Sequence, residues 1–575
     1  MTAASPRSTL PKVEIRNQLR GEEFMPRIRK TIAAIVTIAT LTGLAACGGV
    51  KDDSKSATDN GTNSTITVGT TDKVVNLDPA GSWDLGSYAI QTQVFPYLFS
   101  TPNGSGKVKP DIAADEGSFN ADGSEFTVKL KKGLKFANGH DLTASDVKFS
   151  FDRINKIASP TGPSSLLADI DSVDAPNPTT VVFHLKVKND VLIRQVLSAN
   201  AGPIVDEEVF NPNKVTSAED IIKNRAFAGP YELIAFKLNE YATYKRFDGY
   251  KGLFGKAKTE NIQVKYFADV SNLKMAITGG DVDVAQRTLT PTDIQDLKKN
   301  KNVKVVIGPG GEERFIIFNF KIQPYGESRD NADKAKAKAV REAVADLVDR
   351  EAISKNVYHG LYEPMYSYVP SSIAESNDSL KKAYGDGKGG PDLEKAKKVL
   401  KDAGVTTPID LPIEYTTDYG AASADEFALI KQQLEEGGLF KVDLQQTEKT
   451  VLVKDRIVSD DSDGSYPAYQ LGWVPSYIDA DNYLTPIFRV QGNIKNGWSN
   501  QQVEDLIIKE TSQTNADERA KTLDEIQNKL TEDLPSLPVL QGNQVVVTAK
   551  NIQGAEDTLG PSYRFNYSAL SRSEM

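Results

Sequence analysis

The sequence predicts a mixed α/β fold with more than one domain. Stretches of alternating apolar and polar residues, such as 125–130, are typical of strands with one buried face. Amphipathic stretches that open with capping residues, such as 143–154, are typical of helices. The 575 residues exceed what a single hydrophobic core accommodates, so two or three domains are expected.

Strand and helix signals follow one another along the chain without an internal repeat. Strands are expected at 65–69, 125–130, 181–185, 231–236, 241–247, 262–267 and 544–548. Helices are expected at 143–154, 335–358, 392–404, 423–437, 501–511 and 516–530. Both 143–146 and 423–426 have the form of a capping box, and Gly404 and the pair Gly437 and Gly438 are expected to end helices.

The N-terminal segment has the pattern of a secretory signal peptide. Residues 25–30 are basic, residues 31–46 carry no charge, and small residues precede Cys47. This uncharged run is shorter than the roughly 20 residues that a transmembrane helix needs. An ordinary buried helix is the alternative. Acidic residues in 1–24 do not suit a signal peptide, so translation is expected to start at Met25.

Cys47 is the only cysteine of the chain, so it cannot form an intramolecular disulfide. The segment Leu44-Ala45-Ala46-Cys47-Gly48 resembles the bacterial lipobox, which implies cleavage before Cys47 and a diacylglycerol on its thiol. A buried free thiol is the alternative. We therefore expect residues 1–46 to be removed and the mature protein to be lipid-anchored on the outer face of the cell membrane, in the periplasmic space if an outer membrane is present.

The mature chain is acidic. Without residues 1–46 it contains 61 basic and 75 acidic residues, a net charge of −14. Nucleic acid and anionic membrane surfaces favour clustered positive charge, so neither is an expected partner. Residues 47–64 are polar and form a flexible lipidated tether. The remainder is expected to be a soluble monomer.

Seven segments resemble, in order, the family 5 extracellular solute-binding proteins. This family includes oligopeptide-, dipeptide- and nickel-binding receptors of ATP-driven (ABC) importers. The segments are 76–80, 122–139, 142–147, 228–231, 279–283, 340–351 and 472–482. Each segment is weak evidence alone, but their common order over 400 residues of chain is specific.

The resemblance implies a two-lobed periplasmic-binding-protein-like fold, of type II and the large oligopeptide-binding kind, with an extra subdomain in lobe one. Lobe one would comprise 65–308 and 538–575, with 108–225 as the inserted subdomain. Lobe two would comprise 309–537, and two crossing strands would join the lobes. The implied mechanism is closure of both lobes around a small solute, followed by docking on the importer's membrane subunits.

The resemblance also suggests ligand-binding residues, most of them near the second lobe's tryptophan. Trp473 is expected to wall the cleft, although its strand context alone favours a packed core position. The acidic turn after it is either a polar anchor or a capped turn. The full set of expected ligand-binding residues is Asn76, Trp83, Tyr88, Asn319, Trp473, Ser476, Tyr477, Asp479, Asp481 and Asn482.

One position departs from the family. Peptide-binding members typically place an aspartate about three residues after the motif tryptophan, where it pairs with the peptide's α-ammonium. Here Ser476 occupies that position, and a hydroxyl offers only a neutral hydrogen bond. Either Asp479 or Asp481 supplies the charge, or the natural ligand has no α-amine at this point.

The sequence gives weaker evidence for a metal site, for an arginine that binds a ligand carboxylate or for a catalytic site. His140, His184 and His359 have no neighbouring ligand-type residues in the sequence, so no metal site and no cofactor is expected. Three arginines, at 314, 341 and 350, could pair with a ligand carboxylate but more often join helices. The sequence has no G-x-S-x-G or H-E-x-x-H motif, so we do not expect an enzyme.

Three functions stay open at this point. The first is an import receptor for oligopeptides or dipeptides, which is the family's commonest ligand class. The second is the same receptor fold for a non-peptide solute such as a metal chelate, a glycoside or an opine-like molecule. The third is a secreted lipoprotein hydrolase or a structural protein of the envelope. The sequence leaves the ligand's identity, its length and the importer undetermined.

Overall fold

The computed structural model describes residues 65–490 and 492–573. The expected signal peptide, the start at Met25, the tether and Cys47 lie outside the described residues. Within these residues, no helix combines the length and the apolarity that crossing a membrane requires.

The strands occur along the whole described chain, and most are short. They are β1 Ile66–Thr70, β2 Phe99–Ser100, β3 Lys109–Pro110, β4 Ser118–Phe119, β5 Glu125–Lys129, β6 Ile170–Asn177, β7 Thr180–Leu185, β8 Tyr231–Lys237, β9 Tyr241–Arg246, β10 Asn261–Tyr266, β11 Val284–Gln286, β12 Val303–Phe318, β13 Tyr362–Pro364, β14 Ile409–Tyr415, β15 Phe440–Gln446, β16 Val458–Ser459, β17 Ser462–Asp463, β18 Ala468–Trp473, β19 Ser536–Ala549, β20 Ile552–Gln553 and β21 Ser571–Arg572.

The longer helices lie mainly in the second half of the chain. They are α1 Leu85–Val94, α2 Ala144–Ile157, α3 Ile193–Val196, α4 Ala218–Lys223, α5 Val270–Gly279, α6 Pro291–Lys298, α7 Lys334–Leu347, α8 Arg350–Asn356, α9 Ser379–Ala383, α10 Leu393–Asp402, α11 Ser423–Glu435, α12 Lys449–Asp455, α13 Asp481–Phe488, α14 Gln501–Glu510 and α15 Ala516–Asp533. Short 3-10 turns occur at Pro79–Gly81, Ser164–Leu167, Thr417–Tyr419 and Tyr567–Ala569.

One sheet of 11 strands organises the molecule. Its order is β15-β14-β18-β12-β19-β11-β1-β10-β9-β8, and β13 also pairs with β19. The antiparallel strands β12 and β19 occupy the middle, far apart in the sequence but paired along most of their length. On one side of this pair lie strands from 409–473, and on the other side lie strands from 66–286.

The central pair is interrupted at two points, and the first is a bulge near Gly310. The register of β12 against β19 shifts between Gly308 and Glu312. At Gly310, a Cβ atom would lie 1.8 Å from the carbonyl oxygen of Gly542, so the two backbones approach too closely for any side chain. Before this bulge β12 pairs only with β19, whereas after it β12 also pairs with β18. The bulge therefore divides the sheet into two halves.

Separate hydrophobic cores lie on the two halves. The 315–540 core packs α7, α10, α11 and α15 against β12, β14 and β18. The 66–306/546–570 core packs around β1, β8, β9 and β10. A third core, formed within 80–228, packs α2 against the separate sheet β4-β5-β7-β6. The mixed α/β class is confirmed, with strands and helices built around several cores rather than one.

Several predicted elements are confirmed together with their caps. The side chain of Thr143 and that of Asp146 form the predicted capping box at the start of α2. Asp392 caps α10, and Gly404 follows that helix with a φ of 67°. Gly437 and its neighbour follow α11, also with positive φ. These local signals depend only on neighbouring residues, which is why the sequence reveals them.

Three local predictions are wrong. The helix expected at 335–358 is two helices, because the chain leaves the helical conformation at Val348 and Asp349 caps α8. The capping box at 423–426 is absent, because Ser423 lies inside α11 and accepts a hydrogen bond from Arg314 instead. The last strand begins at Ser536 rather than at residue 544, and it includes Pro538 beside a register shift.

A buried ion pair joins the 76–80 segment to helix α2. Nη1 and Nη2 of Arg153 donate to the carboxylate of Asp78, over 2.8 and 2.5 Å. The Asp78 carboxylate also accepts from the backbone N–H groups of Ala80 and Thr216. Both charged side chains are buried, so each provides the partner that the other requires.

We expect Arg153→Met to destabilise the protein by about 3–5 kcal/mol, because the variant leaves the Asp78 carboxylate buried without its counter-charge. Denaturant unfolding followed by far-UV circular dichroism measures this change. The control is Lys188→Met, which removes an exposed ion pair with Asp122 and should leave the free energy of unfolding almost unchanged, because water screens the two charges. Equal losses for the two variants would contradict a special role of the buried pair.

Candidate functional site

A cavity of about 570 Å³ lies beside the central strand pair. One wall comes from the first half of the sheet and includes residues 287–291 and Tyr563. The other wall comes from the second half and includes residues 417–422 and Tyr362. Two other hollows of about 400 and 680 Å³ lie between helices. The 570 Å³ cavity is therefore the candidate site, since both halves of the sheet build it.

Arg314 in β12 reaches the cavity wall, but its donors are occupied. The guanidinium donates to the Glu426 carboxylate from Nε, over 2.8 Å, and from Nη2, over 2.5 Å. It also donates to the carbonyl oxygen of Tyr419 and to the hydroxyl of Ser423. Burial alone would lower the pKa of Arg314, but the negative charge of Glu426 outweighs burial and raises it. Arg314 thus anchors α11 to the central strand.

Two consecutive acidic residues on β12 differ in environment. Glu312 lines the cavity and accepts a hydrogen bond from the Tyr362 hydroxyl over 2.9 Å. Glu313 is fully enclosed, and neither of its carboxylate oxygens has a hydrogen-bond partner among the described residues. Burial raises the pKa of Glu313 well above its usual range. Removing a carboxylate from water without a partner favours its protonated form.

Arg287 provides a basic group in the opposite wall. Its Nη2 pairs with the Asp72 carboxylate, and both side chains are largely buried. Its Nε is buried and has no partner within the described part of the chain. The backbone at Arg287 and Thr288 has φ values of 57° and 61°, a conformation that residues other than glycine rarely adopt. The wall therefore holds a guanidinium that Asp72 fixes in place and whose Nε is enclosed.

The two tryptophans expected to bind the ligand, Trp83 and Trp473, lie outside the cavity lining. Trp473 ends β18, is half-buried and lies opposite Glu313 in the sheet. Its indole Nε1 is buried and has no hydrogen-bond partner among residues 65–490 and 492–573. Trp83 is 41% exposed, and its Nε1 donates to the Ser476 hydroxyl over 3.2 Å. This hydrogen bond joins the segment before α1 to the segment after β18.

The acidic turn after Trp473 is tied to other elements. Two nitrogens of Arg519 in α15 donate to Asp479, over 3.1 and 2.6 Å. Asp481 accepts from the hydroxyl of Tyr477 over 2.6 Å and also from that of Thr485. The structure therefore provides both carboxylates with partners inside the protein.

The remaining expected residues also make internal contacts. Asn482 accepts from the backbone N–H of Ser476, and Asn76 accepts from that of Asp78. The hydroxyl of Tyr88 accepts from Nε of Arg564, a buried arginine. Asn319 is buried and donates to the carbonyl oxygen of Asp463.

The cavity is lined by immediate neighbours of the expected residues rather than by those residues. Val474 and Leu85 line it, for example, one and two positions from Trp473 and Trp83. The ligand-binding role of the ten expected residues stays a prediction. Sequence reasoning missed Glu312 and Arg287. One available signal was Glu312-Glu313-Arg314, three consecutive charges directly before the apolar run 315–318.

The histidines and the other arginines lie outside the cavity lining. His140 and His184 each contact an aspartate, over 2.8 and 3.0 Å. No group of three or more metal-binding side chains occurs in the described ranges. Arg341 donates to the carbonyl oxygen of Asp533, and Arg350 donates to that of Pro538. Both arginines thus join helices to the C-terminal part of the chain.

An acidic cluster connects the third core to α14 and α15. Asp190, which follows β7, lies near Asp169 and Asp481, and the next residue donates its backbone N–H to the Thr511 carbonyl oxygen. Burial, followed by the charges of Asp169 and Asp481, raises the pKa of Asp190 to about 7. The folded protein therefore keeps a proton on Asp190 at pH values where the unfolded chain, with a pKa near 3.8, has lost it.

We expect Asp190 to make the protein less stable as the pH rises from about 4 to about 7, because the folded state binds the extra proton in that window. Between pH 5 and pH 8, the free energy of unfolding should fall by about 1–3 kcal/mol less in Asp190→Asn than in the wild-type protein. Denaturant unfolding at both pH values measures this. The exposed Asp171→Asn variant should keep the wild-type dependence, and an unchanged slope in Asp190→Asn would refute the assignment.

Comparison with known proteins identifies the class. Residues 107–495, about two thirds of the chain, match the family model for bacterial extracellular solute-binding proteins, family 5. The glutathione-binding protein GsiB of Escherichia coli (strain K12) is 25% identical over 489 residues, which cover 83% of this chain and 89% of GsiB.

Solved structures share the fold. The ABC transporter substrate-binding protein CtaP of Listeria monocytogenes is 24% identical, with a TM-score of 0.75, over 89% of this chain and 100% of CtaP. The periplasmic binding protein DppA of Helicobacter pylori, in complex with the peptide STSA, is 19% identical, with a TM-score of 0.69, over 89% of this chain and 99% of DppA. These likenesses confirm the predicted two-lobed fold. The chain belongs to the family 5 bacterial extracellular solute-binding proteins.

Proposed function

We propose that this protein is the lipid-anchored receptor of an ABC importer and that it binds short peptides or a glutathione-like ligand between its two lobes. The observation that carries the proposal is the 570 Å³ cavity, which both halves of the central sheet line and which presents acidic and basic side chains. The peptide in the DppA complex and the glutathione of GsiB are both small molecules with a peptide backbone.

The proposed lobes are those that the resemblance implies, with lobe one at 65–308 and 538–575 and lobe two at 309–537. The composition of the cores supports these boundaries, because the 315–540 core and the 66–306/546–570 core are separate clusters on the two sides of the β12–β19 pair. The segment proposed as an inserted subdomain, 108–225, contributes most of the third core. A hinge at the bulge near Gly310 would allow the lobes to close on a ligand.

A non-peptide solute is the second candidate. Ser476 supports it, because this hydroxyl replaces the aspartate expected in peptide-binding members and already accepts a hydrogen bond from Trp83. Native mass spectrometry of protein purified without denaturation tests both candidates. A mass increment that fragments into amino acids supports a peptide receptor, whereas a stable non-peptide increment supports the second candidate.

We expect lobe closure to change the environment of Trp83, since its indole reaches across to Ser476. Addition of a saturating peptide from a library should reduce the radius of gyration in small-angle scattering and change the tryptophan fluorescence. Trp83→Phe should remove most of the fluorescence change.

Trp498→Phe is the matched control, because Trp498 packs in the 315–540 core and donates to Asp533. That variant should keep the response. A bound ligand that leaves both the radius and the fluorescence of the wild-type protein unchanged would exclude closure as the mechanism.

We expect Cys47 to be the acylated N-terminus of the mature protein. Intact mass measurement of membrane-extracted protein should show a chain that starts at residue 47 and carries lipid, because acyl chains supply the buried methylenes that retain a protein at a membrane. Cys47→Ala should release the protein from membranes, while Ser56→Ala in the tether should not. Membrane retention of Cys47→Ala would disprove lipid anchoring at this residue.

A further inference from the structure

The segment 190–199 of the third core lies against the end of helix α14. The backbone N–H of Val191 donates to the carbonyl oxygen of Thr511, the residue after that helix, over 3.0 Å. A small apolar cluster belongs to the same contact and contains Leu192, Ala199 and Tyr477. This docking contact, between 190–199 and 477–519, joins lobe one to lobe two on the proposed boundaries.

The 477–519 side of the docking contact carries more acidic than basic groups. Asp479, Asp481 and Glu510 are all buried. Arg519 donates to Asp479 over 2.6 Å and to Glu510 over 2.7 Å. Oε1 of Glu510 is buried and has no hydrogen-bond partner in the described part of the chain. Ionisation of all three carboxyl groups would leave them incompletely neutralised in an enclosed space, which favours retention of protons.

Glu510 is the first group that favours its protonated form. Burial, followed by the negative charge of Asp481, raises the pKa of Glu510, although the positive charge of Arg519 lowers it. The hydroxyl of Tyr477 donates to Asp481 over 2.6 Å. These groups all belong to the 477–519 side, so they keep one another as partners if the two sides separate.

Asp190 brings a further carboxyl group to this surface from the third core. It is buried, and one of its oxygens accepts the backbone N–H of Leu192 over 2.8 Å. Burial, followed by the charges of Asp169 and Asp481, raises the pKa of Asp190 to about 7, and the positive charge of Arg519 lowers it. Asp190 is therefore a group whose surroundings depend on docking.

Asp169 is the other acidic group that the third core contributes. Burial, followed by the negative charge of Asp481, raises the pKa of Asp169, and the positive charges of Arg489 and Lys186 lower it. These two basic groups offset Asp481, so the unbalanced position is that of Asp190.

We propose that a proton on Asp190 controls this docking contact: segment 190–199 stays docked while the carboxyl group is protonated and separates more readily once the proton is lost. Loss of the proton would bring a further negative charge against Asp481 in an enclosed space. After separation Asp190 faces water, where its pKa is near 3.8. The docked state therefore binds one more proton than the separated state between about pH 4 and pH 7, and docking weakens as the pH rises through that window.

The docking contact has a consequence for ligand binding if the lobes close as proposed. A ligand that binds the closed lobes would be held more tightly at lower pH, since docking and binding favour the same state. This consequence rests on the proposed receptor function. The docking contact itself can be measured without a ligand, so a failure of the receptor function would leave that measurement unaffected.

Hydrogen–deuterium exchange of the purified, ligand-free mature protein, followed by mass spectrometry, tests the control by Asp190. Labelling times are adjusted for the intrinsic pH dependence of amide exchange. Protection of peptides that cover 190–199 should fall about 10- to 100-fold between pH 5 and pH 8 in the wild-type protein. In Asp190→Asn the protection should stay nearly constant, because the side-chain amide does not ionise.

Asp171→Asn is the matched control, because it makes the same change at an exposed position in β6 of the third core. It should keep the wild-type dependence on pH. Peptides from 312–318, in the central strand pair, should stay protected at both pH values over the same labelling times. Their protection distinguishes local separation of the docking contact from unfolding of the protein.

Equal protection of 190–199 at pH 5 and pH 8 in the wild-type protein would overturn the proposal. So would a wild-type dependence that persists in Asp190→Asn, or its loss in Asp171→Asn. If 312–318 loses protection together with 190–199, the protein unfolds as a whole and the proposed local separation is wrong. If Asp190→Asn fails to fold, the wild-type comparison of 190–199 with 312–318 still tests the proposal.

Discussion

The antiparallel pairing of β12 with β19 is the constraint on which the rest of the structure depends. These strands are separated by more than 200 residues of chain, yet their backbones touch at Gly310 and Gly542. Every strand of the 11-stranded sheet reaches this pair directly or through its neighbours. The two large cores pack on the two sides of this pair, and the cavity beside it has walls from both halves of the sheet.

Residues 312–314 of β12, all with charged side chains, lie where the strand passes the cavity, and each has different partners. Arg314 is neutralised by Glu426, which fixes α11 to β12. Glu313 has no partner in the described chain, so its raised pKa marks a position where the protonated form is favoured. Glu312 keeps one oxygen available to the cavity. Alternate side chains of a strand point to opposite faces, so Glu312 and Arg314 both line the cavity whereas Glu313 is enclosed on the other face.

The acidic turn after Trp473 has partners that its sequence motif does not specify. Its position in the sequence predicts an anchor for a ligand, and in the structure Arg519, 40 residues later, donates to Asp479. The cluster around Asp190 and Asp481 also connects the third core to helices α14 and α15. Such a connection uses the same residue types as a binding site, and only the position of the partners distinguishes the two.

The sequence by itself determined the class of fold, the family and the elements whose signals are local. The capping box at Thr143 and the helix end at Gly404 depend on residues within one or two turns, so they could be predicted. Only the tertiary structure decided which charged residues are free. Ser423 bonds to Arg314 rather than capping its helix, and β19 extends back to Ser536 because β12 pairs with it. The partners of Glu312 and Arg287, which are Tyr362 and Asp72, are likewise distant in sequence, and no local pattern specifies them.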